Sequence, residues 1–307
     1  MGSEPMLCGG IDIGGTKIEA RLFRGAAAET VEVRRIATPK LAFVALLEAI
    51  VEQVRWLESL DPAPFPIGLS LAGVIDPETG IGYAANIPVT GYALGRELGQ
   101  ATGRDLPIVN DCMAFAFSEA NGGAGDGARS VMGLILGTGV GGGICIDGQL
   151  PHRHGGLAVE IGHLGLPAQA LARHDLPLFK CGCGREGCME TCVSGTGIAN
   201  LAEWRLGNRM RAEDLVAAGT DEAAAVLDLW QDLAGDCLYA IQIMLDPDRI
   251  VLGGGLSKLP DVIGRLTRSL EAKRMGSVRL PEITLARHGD SSGARGAALT
   301  ARTEWPT

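Results

Sequence analysis

Leu7-Cys8-Gly9-Gly10-Ile11-Asp12-Ile13-Gly14-Gly15-Thr16-Lys17-Ile18-Glu19-Ala20-Arg21-Leu22-Phe23 reads as an apolar run, a glycine turn and a second, alternating run. That pattern is strand, turn, strand: a hairpin, and not the strand–helix of a dinucleotide or P-loop unit. Gly14 and Gly15 let backbone amides approach a phosphate, Thr16 and Lys17 add donors, and Asp12 is placed to hold Mg²⁺ through water. The alternative is a β-hairpin with a merely polar tip. An echo comes later in the chain. Val131-Met132-Gly133-Leu134-Ile135-Leu136 runs into Gly137-Thr138-Gly139-Val140-Gly141-Gly142-Gly143 and then Ile144-Cys145-Ile146. One glycine loop is weak evidence, but two facing hairpins could grip one nucleotide's phosphates from opposite sides. The self-similarity predicts two related α/β halves joined near residues 120–128, where Asn121-Gly122-Gly123-Ala124-Gly125-Asp126-Gly127-Ala128 suits a hinge.

A chain of 307 residues, 46% hydrophobic and 21% charged, is ample for one large or two medium domains. Its net charge of -9, with no basic run, argues against a nucleic-acid footprint. No apolar stretch approaches a membrane span, and the N-terminus has no secretory h-region. Eight cysteines without an export signal suggest reduced thiols or metal ligands in a cytoplasmic protein.

Helical periodicity marks residues 41–60, a buried strand follows at 67–71, and a turn at Ala72-Gly73 closes it. A strand at 107–109 delivers Asn110 and Asp111, with a helix expected over 114–120. An aspartate there is either a helix N-cap or a base able to take a proton from an attacking hydroxyl, since strand C-termini gather catalytic groups. Helices are expected at 196–205, 213–218, 221–245 and 260–273, with strands at 249–252 and 283–285. Gly253-Gly254-Gly255 is either a tight turn or room for adenine or ribose against the backbone. Small residues from Gly293 onward begin a last helix.

His163, then Cys181, Cys183 and Cys188 in the spacing C-x-C-x4-C, offer three thiolates and an imidazole. That donor set suits a closed, structural tetrahedral zinc site. The alternative is buried or redox cysteines beside an unrelated histidine. Glu160 and Glu190 flank the four residues, so a metal here would pin a loop carrying two carboxylates.

Together, D-I-G-G-T-K (12–17), Asn110-Asp111, G-T-G-V-G-G-G (137–143), E-I-G-H (160–163) and C-G-C-G-R-E-G-C-M-E (181–190) resemble the ROK family of sugar kinases and repressors, from about Gly9 to Ala298. The resemblance implies an actin-like, hexokinase-like (ribonuclease H-like) α/β fold of two domains with a cleft for sugar and ATP. The domains are expected at 1–120 and 121–293, with a C-terminal helix at 294–307 returning to the first. It implies Asp111 as base; Gly73, Asn86, Asn110, Glu160, His163 and Glu190 as sugar contacts; and 12–17 with 137–141 as phosphate loops. Gly254 and Gly255 would lie by the adenosine. His163 would serve zinc and sugar, one ring nitrogen each. The cofactors implied are ATP, Mg²⁺ and structural Zn²⁺, with a homodimer as the assembly.

The expected reaction is transfer to the 6-hydroxyl of N-acetyl-D-glucosamine, which Tyr83-Ala84-Ala85-Asn86-Ile87-Pro88 and Phe179-Lys180-Cys181-Gly182-Cys183 favour by resemblance. Fructose, mannose or glucose are the alternative substrates; a non-enzymatic sugar-sensing regulator is a second class of reading and an ATPase-like structural protein of the actin class a third. Repressor members carry a DNA-binding segment ahead of the first motif, and eleven residues precede Asp12 here, which favours the enzyme. Two departures bear on specificity: Ala72 stands where Pro is usual, and Val159 where Gly is usual.

Overall fold

The computed structural model describes residues 6–305; Met1 to Pro5 lie outside the described residues. The chain divides into two compact units. The first comprises residues 1–126, 143–158 and 290–307, and the second 127–142 and 159–289. Residues 143–158 thus belong to the first unit, whereas the sequence expectation assigned them to the second.

The first unit opens with strands β1 (Leu7–Ile13), β2 (Lys17–Arg24) and β3 (Glu29–Ala37), then helix α1 (Phe43–Glu58). There follow β4 (Ile67–Leu71), the short pair β5 (Val74–Ile75) and β6 (Gly82–Tyr83), α2 (Leu94–Thr102), β7 (Ile108–Asn110) and α3 (Asp111–Ala120). The sheet order is β3-β2-β1-β4-β7, with β1, β2 and β3 antiparallel and β4 and β7 parallel to β1. Alternation along β1 gives the sheet two working faces. Ile11 and Ile13 enter a core with Ile18, Leu46, Ile50, Val54, Leu57, Leu69, Leu94 and Leu98, all fully buried. Gly10 and Asp12 point to the other face.

The second unit begins with β8 (Ser130–Leu136), and β9 (Val140–Ile146) leads the chain back to the first. After it come α4 (Ala168–His174), α5 (Glu190–Val193), α6 (Gly195–Leu206), α7 (Ala212–Ala218), α8 (Asp221–Leu245), β10 (Arg249–Gly253), α9 (Val262–Ala272) and β11 (Glu282–Leu285). The sheet order is β11-β10-β8-β9, with β10 parallel to both β8 and β11. α8 is capped at its start by Thr220, whose hydroxyl accepts from the Ala223 amide at 3.3 Å. Trp230, fully buried on α8, donates its indole N–H to the Val193 carbonyl at 2.8 Å.

The last helix, α10 (Ser292–Glu304), packs on β1, β4 and α3 of the first unit. It lies so close that glycine is obligatory beneath it: a Cβ on Gly10 would sit 1.8 Å from the Ala294 carbonyl oxygen, and one on Gly68 2.1 Å from that of Ala297. The small-residue run Gly293-Ala294-Arg295-Gly296-Ala297-Ala298 answers from the helix side.

Candidate active site and metal centre

In the first unit, β1 and β2 are joined by the turn 14–16, closed by the Gly14 amide donating to the Lys17 carbonyl at 3.0 Å. Thr38, buried, stitches the same turn: its hydroxyl donates to Gly14 O at 2.6 Å and its amide to Thr16 O at 3.1 Å. A Cβ on Gly15 would stand 3.1 Å from Asn86 Cβ, so the exposed Asn86 lies beside this turn. Asp12, the last polar group on β1, accepts from Ser70 Oγ at 2.8 Å. Burial pushes its carboxyl up to about 6; the charges of Asp111 and Glu19 push the same way, against the Ser70 hydrogen bond and Lys17. Asp12 and Asp111 are therefore near enough to feel one another.

Asp111 is the first residue of α3, which begins three residues before the expected start. The reason is Asn110, not Asp111: the Asn110 side chain is the N-cap, accepting from the amides of Cys112 at 2.8 Å and Met113 at 3.2 Å. Its Nδ2 donates to the Gly73 carbonyl at 3.0 Å, which ties the Ala72-Gly73 turn to the strand end. Asp111 Oδ1 accepts from the Cys112 amide at 2.9 Å. A first-turn carboxylate is also favoured by the helix dipole.

In the second unit, His163, Cys181, Cys183 and Cys188 offer ligand atoms that all lie within 4.8 Å of one another. The Cys183 and Cys188 sulfurs are 3.7 Å apart, and His163 Nδ1 is 3.6 Å from Cys181 Sγ. Tetrahedral zinc with bonds of about 2.3 Å to sulfur and about 2.0 Å to nitrogen requires separations of roughly 3.8 and 3.5 Å, so the donors fit. The knuckle is shaped by Cys181 N–H donating to Arg185 O at 2.8 Å, with Gly184 (φ 88°) and Gly187 (φ 71°) at the left-handed corners. Burial raises the Cys181 and Cys188 thiols, whereas the Arg185 backbone N–H lowers Cys183.

Glu190, at the start of α5, connects this cluster to the second glycine turn. In its thiol form Cys181 donates to Glu190 Oε1 at 3.0 Å, while Oε2 lies 3.4 Å from the Val140 amide. His163 presents Nδ1 to the cluster and Nε2, 4.0 Å away, to Glu160. Glu160, His163 and Glu190 thus converge, with Glu160 and His163 more than a third exposed. The turn 137–139 is closed by Gly137 N–H to Gly139 O at 3.0 Å and anchored to α6 by Gly195 N–H to Gly137 O at 2.7 Å. Gly254 (φ 82°) packs on the same backbone, since its Cβ would fall 2.4 Å from Leu136 O. The exposed Thr138 and Gly255 complete this group. Sequence reasoning missed Thr38 and Ser70, which strand register alone brings to the site.

Two strand–glycine turn–strand hairpins, β1–β2 and β8–β9, in an α/β chain of two units define the actin-like, hexokinase-like class. The chain belongs to the ROK family, whose model matches residues 8–304. It is 39% identical over 94% of its length, and 95% of the relative's, to N-acetylgalactosamine kinase AgaK of Shewanella sp. (strain ANA-3). It is 37% identical to N-acetyl-D-glucosamine kinase of Escherichia coli O9:H4 (strain HS), covering 96% and 99% of the two chains. It superposes with a TM-score of 0.78, at 26% identity and over 97% and 99% of the chains, on a ROK family glucokinase from Streptomyces griseus in complex with glucose and AMPPNP.

Proposed function

We propose that the protein is an ATP-dependent sugar kinase acting on the 6-hydroxyl of an N-acetylated amino-hexose, N-acetyl-D-glucosamine first. The observation that carries this reading is Asp111, a carboxylate held at the β7–α3 junction by its neighbour's cap and within electrostatic reach of Asp12. Asp111 accepts the proton of the 6-hydroxyl as its oxygen bonds to the γ-phosphorus and the bond from that phosphorus to the bridging oxygen breaks. Asn110, Glu160, His163 and Glu190 orient the ring hydroxyls, with Gly73 and Asn86 lining the pocket. Hydrogen-bonded hydroxyl recognition rejects wrong epimers strongly, because a mismatch leaves buried groups unpaired. The glycine turns at 14–15 and 137–141, with Thr16, Lys17 and Thr138, hold the phosphates, and Gly254 and Gly255 flank the nucleoside.

Asp12 would hold Mg²⁺, which supplies charge neutralisation on the phosphates. Zn²⁺ on His163, Cys181, Cys183 and Cys188 would fix the segment that carries Glu160 and Glu190. The site is cytoplasmic in this reading, and the assembly a homodimer; among the described residues, no helix is long and apolar enough to cross a membrane.

N-acetyl-D-galactosamine is the second reading, favoured by the 39% identity to a kinase named for that sugar. ADP release measured over N-acetylglucosamine, N-acetylgalactosamine, N-acetylmannosamine, glucose, mannose and fructose tests both. The highest kcat/KM should fall on one of the first two. Release with none of the six would sink the kinase assignment.

A further inference from the structure

Glu19 is fully buried on β2, and the chemistry above makes no use of it. Strand register sets Asp12, Glu19 and Arg35 side by side across β1, β2 and β3. Lys17, Glu19 and Arg21 alternate along β2 and so share its face, while Ile18, Ala20 and Leu22 fill the core behind. Three cations converge on the one carboxylate. Lys17 Nζ donates to Oε2 at 3.0 Å, Arg21 Nε to Oε1 at 2.5 Å, and Arg35 Nε also to Oε2. Burial alone would raise this carboxyl, but the bonds from Arg21, Lys17 and Arg35 hold it below its ordinary value.

A buried anion needs partners, and Arg21, only 12% exposed, on Oε1 together with Arg35 on Oε2 supplies them. Lys17 is different. It is 42% exposed, at the start of β2 where the turn 14–16 ends, and its long stem is free to swing unless tethered. A tether that fixes its rotamer removes, before any ligand arrives, freedom that phosphate binding would otherwise have to remove.

We propose that Glu19 is a positioning residue for Lys17, holding its ammonium beside the turn 14–16 for the phosphates of a nucleoside triphosphate. This rests on reading that turn as a phosphate loop. The test is a double-mutant cycle of Glu19→Gln and Lys17→Met, read in steady-state kinetics. Glu19→Gln should raise KM for MgATP about fivefold to tenfold, leave kcat within about twofold and leave sugar KM unchanged. In the Lys17→Met background the same change should alter KM for MgATP by less than about twofold. Equal effects in both backgrounds, or an unchanged or lowered KM for MgATP, would overturn the proposal. Should Glu19→Gln not fold, Glu19→Asp keeps the anion but withdraws it, and the same split in KM decides. Absence of turnover with every sugar would count against the kinase reading alone; calorimetric titration of the same variants with MgATP then decides the role of Glu19.

Discussion

Two aspartates carry the sharpest expectations. If Asp111 accepts the hydroxyl proton, Asp111→Asn should lower kcat by about 10²- to 10⁴-fold while sugar affinity, measured by titration, stays within a few-fold. Near-normal kcat would remove Asp111 from the role. Asp12 offers a different readout. Its folded pKa of about 6 lies above the ordinary 3.8, so the folded state holds this proton more tightly than the unfolded chain. The ionised carboxylate therefore costs stability in full above about pH 6, and the cost fades as pH falls toward 4. Asp12→Asn should gain of order 2 kcal/mol at pH 7.5, with the gain shrinking in melts at pH 4.5, while activity falls. Equal gains at both values would show that the shift is not expressed.

Elements were legible where their residues followed a period, and silent where contact set them. Helix α8 announced itself over all of 221–245 by apolar spacing, and α1 within two residues at each end. β3 did not, because its residues are largely exposed and charged, and pairing with β2 rather than a buried face makes it a strand. α4 is one short helix with no side-chain N-cap, ended by Asp175 at φ 53°, and nothing periodic marks it. In the site, the C-x-C-x4-C spacing made readable the three cysteines that the structure gathers with His163. Ser70 and Thr38 were unreadable, since each reaches its partner across strands. Likewise the closeness of α10 is written only as a run of small residues. Gly68→Ala should therefore destabilise by about 2–3 kcal/mol in denaturant melts, because its Cβ meets backbone. Gly95→Ala, whose Cβ meets only Ile108 Cδ1 at 3.8 Å, should instead be neutral or stabilise by about 0.5 kcal/mol. A neutral Gly68→Ala would contradict the packing.

At the scale of the molecule, a zinc ion held by the sulfur knuckle would make stability conditional on the metal. Native protein should carry about one zinc per chain, and Cys183→Ser should lose it. Chelation should lower the melting temperature and quicken amide exchange over 163–190, with exchange in β1 and β4 unchanged. Metal-free protein with an unaltered melt would refute a structural ion.

The return of α10 has a consequence for biosynthesis. The first unit draws on α10, residues 292–304, to cover β1 and β4, whereas residues 159–289 form the bulk of the second as one uninterrupted segment. On the ribosome the N-terminal sheet must wait, one face bare, until residues 292–304 have been made and this closing helix leaves the exit tunnel. The half made first is thus the half finished last.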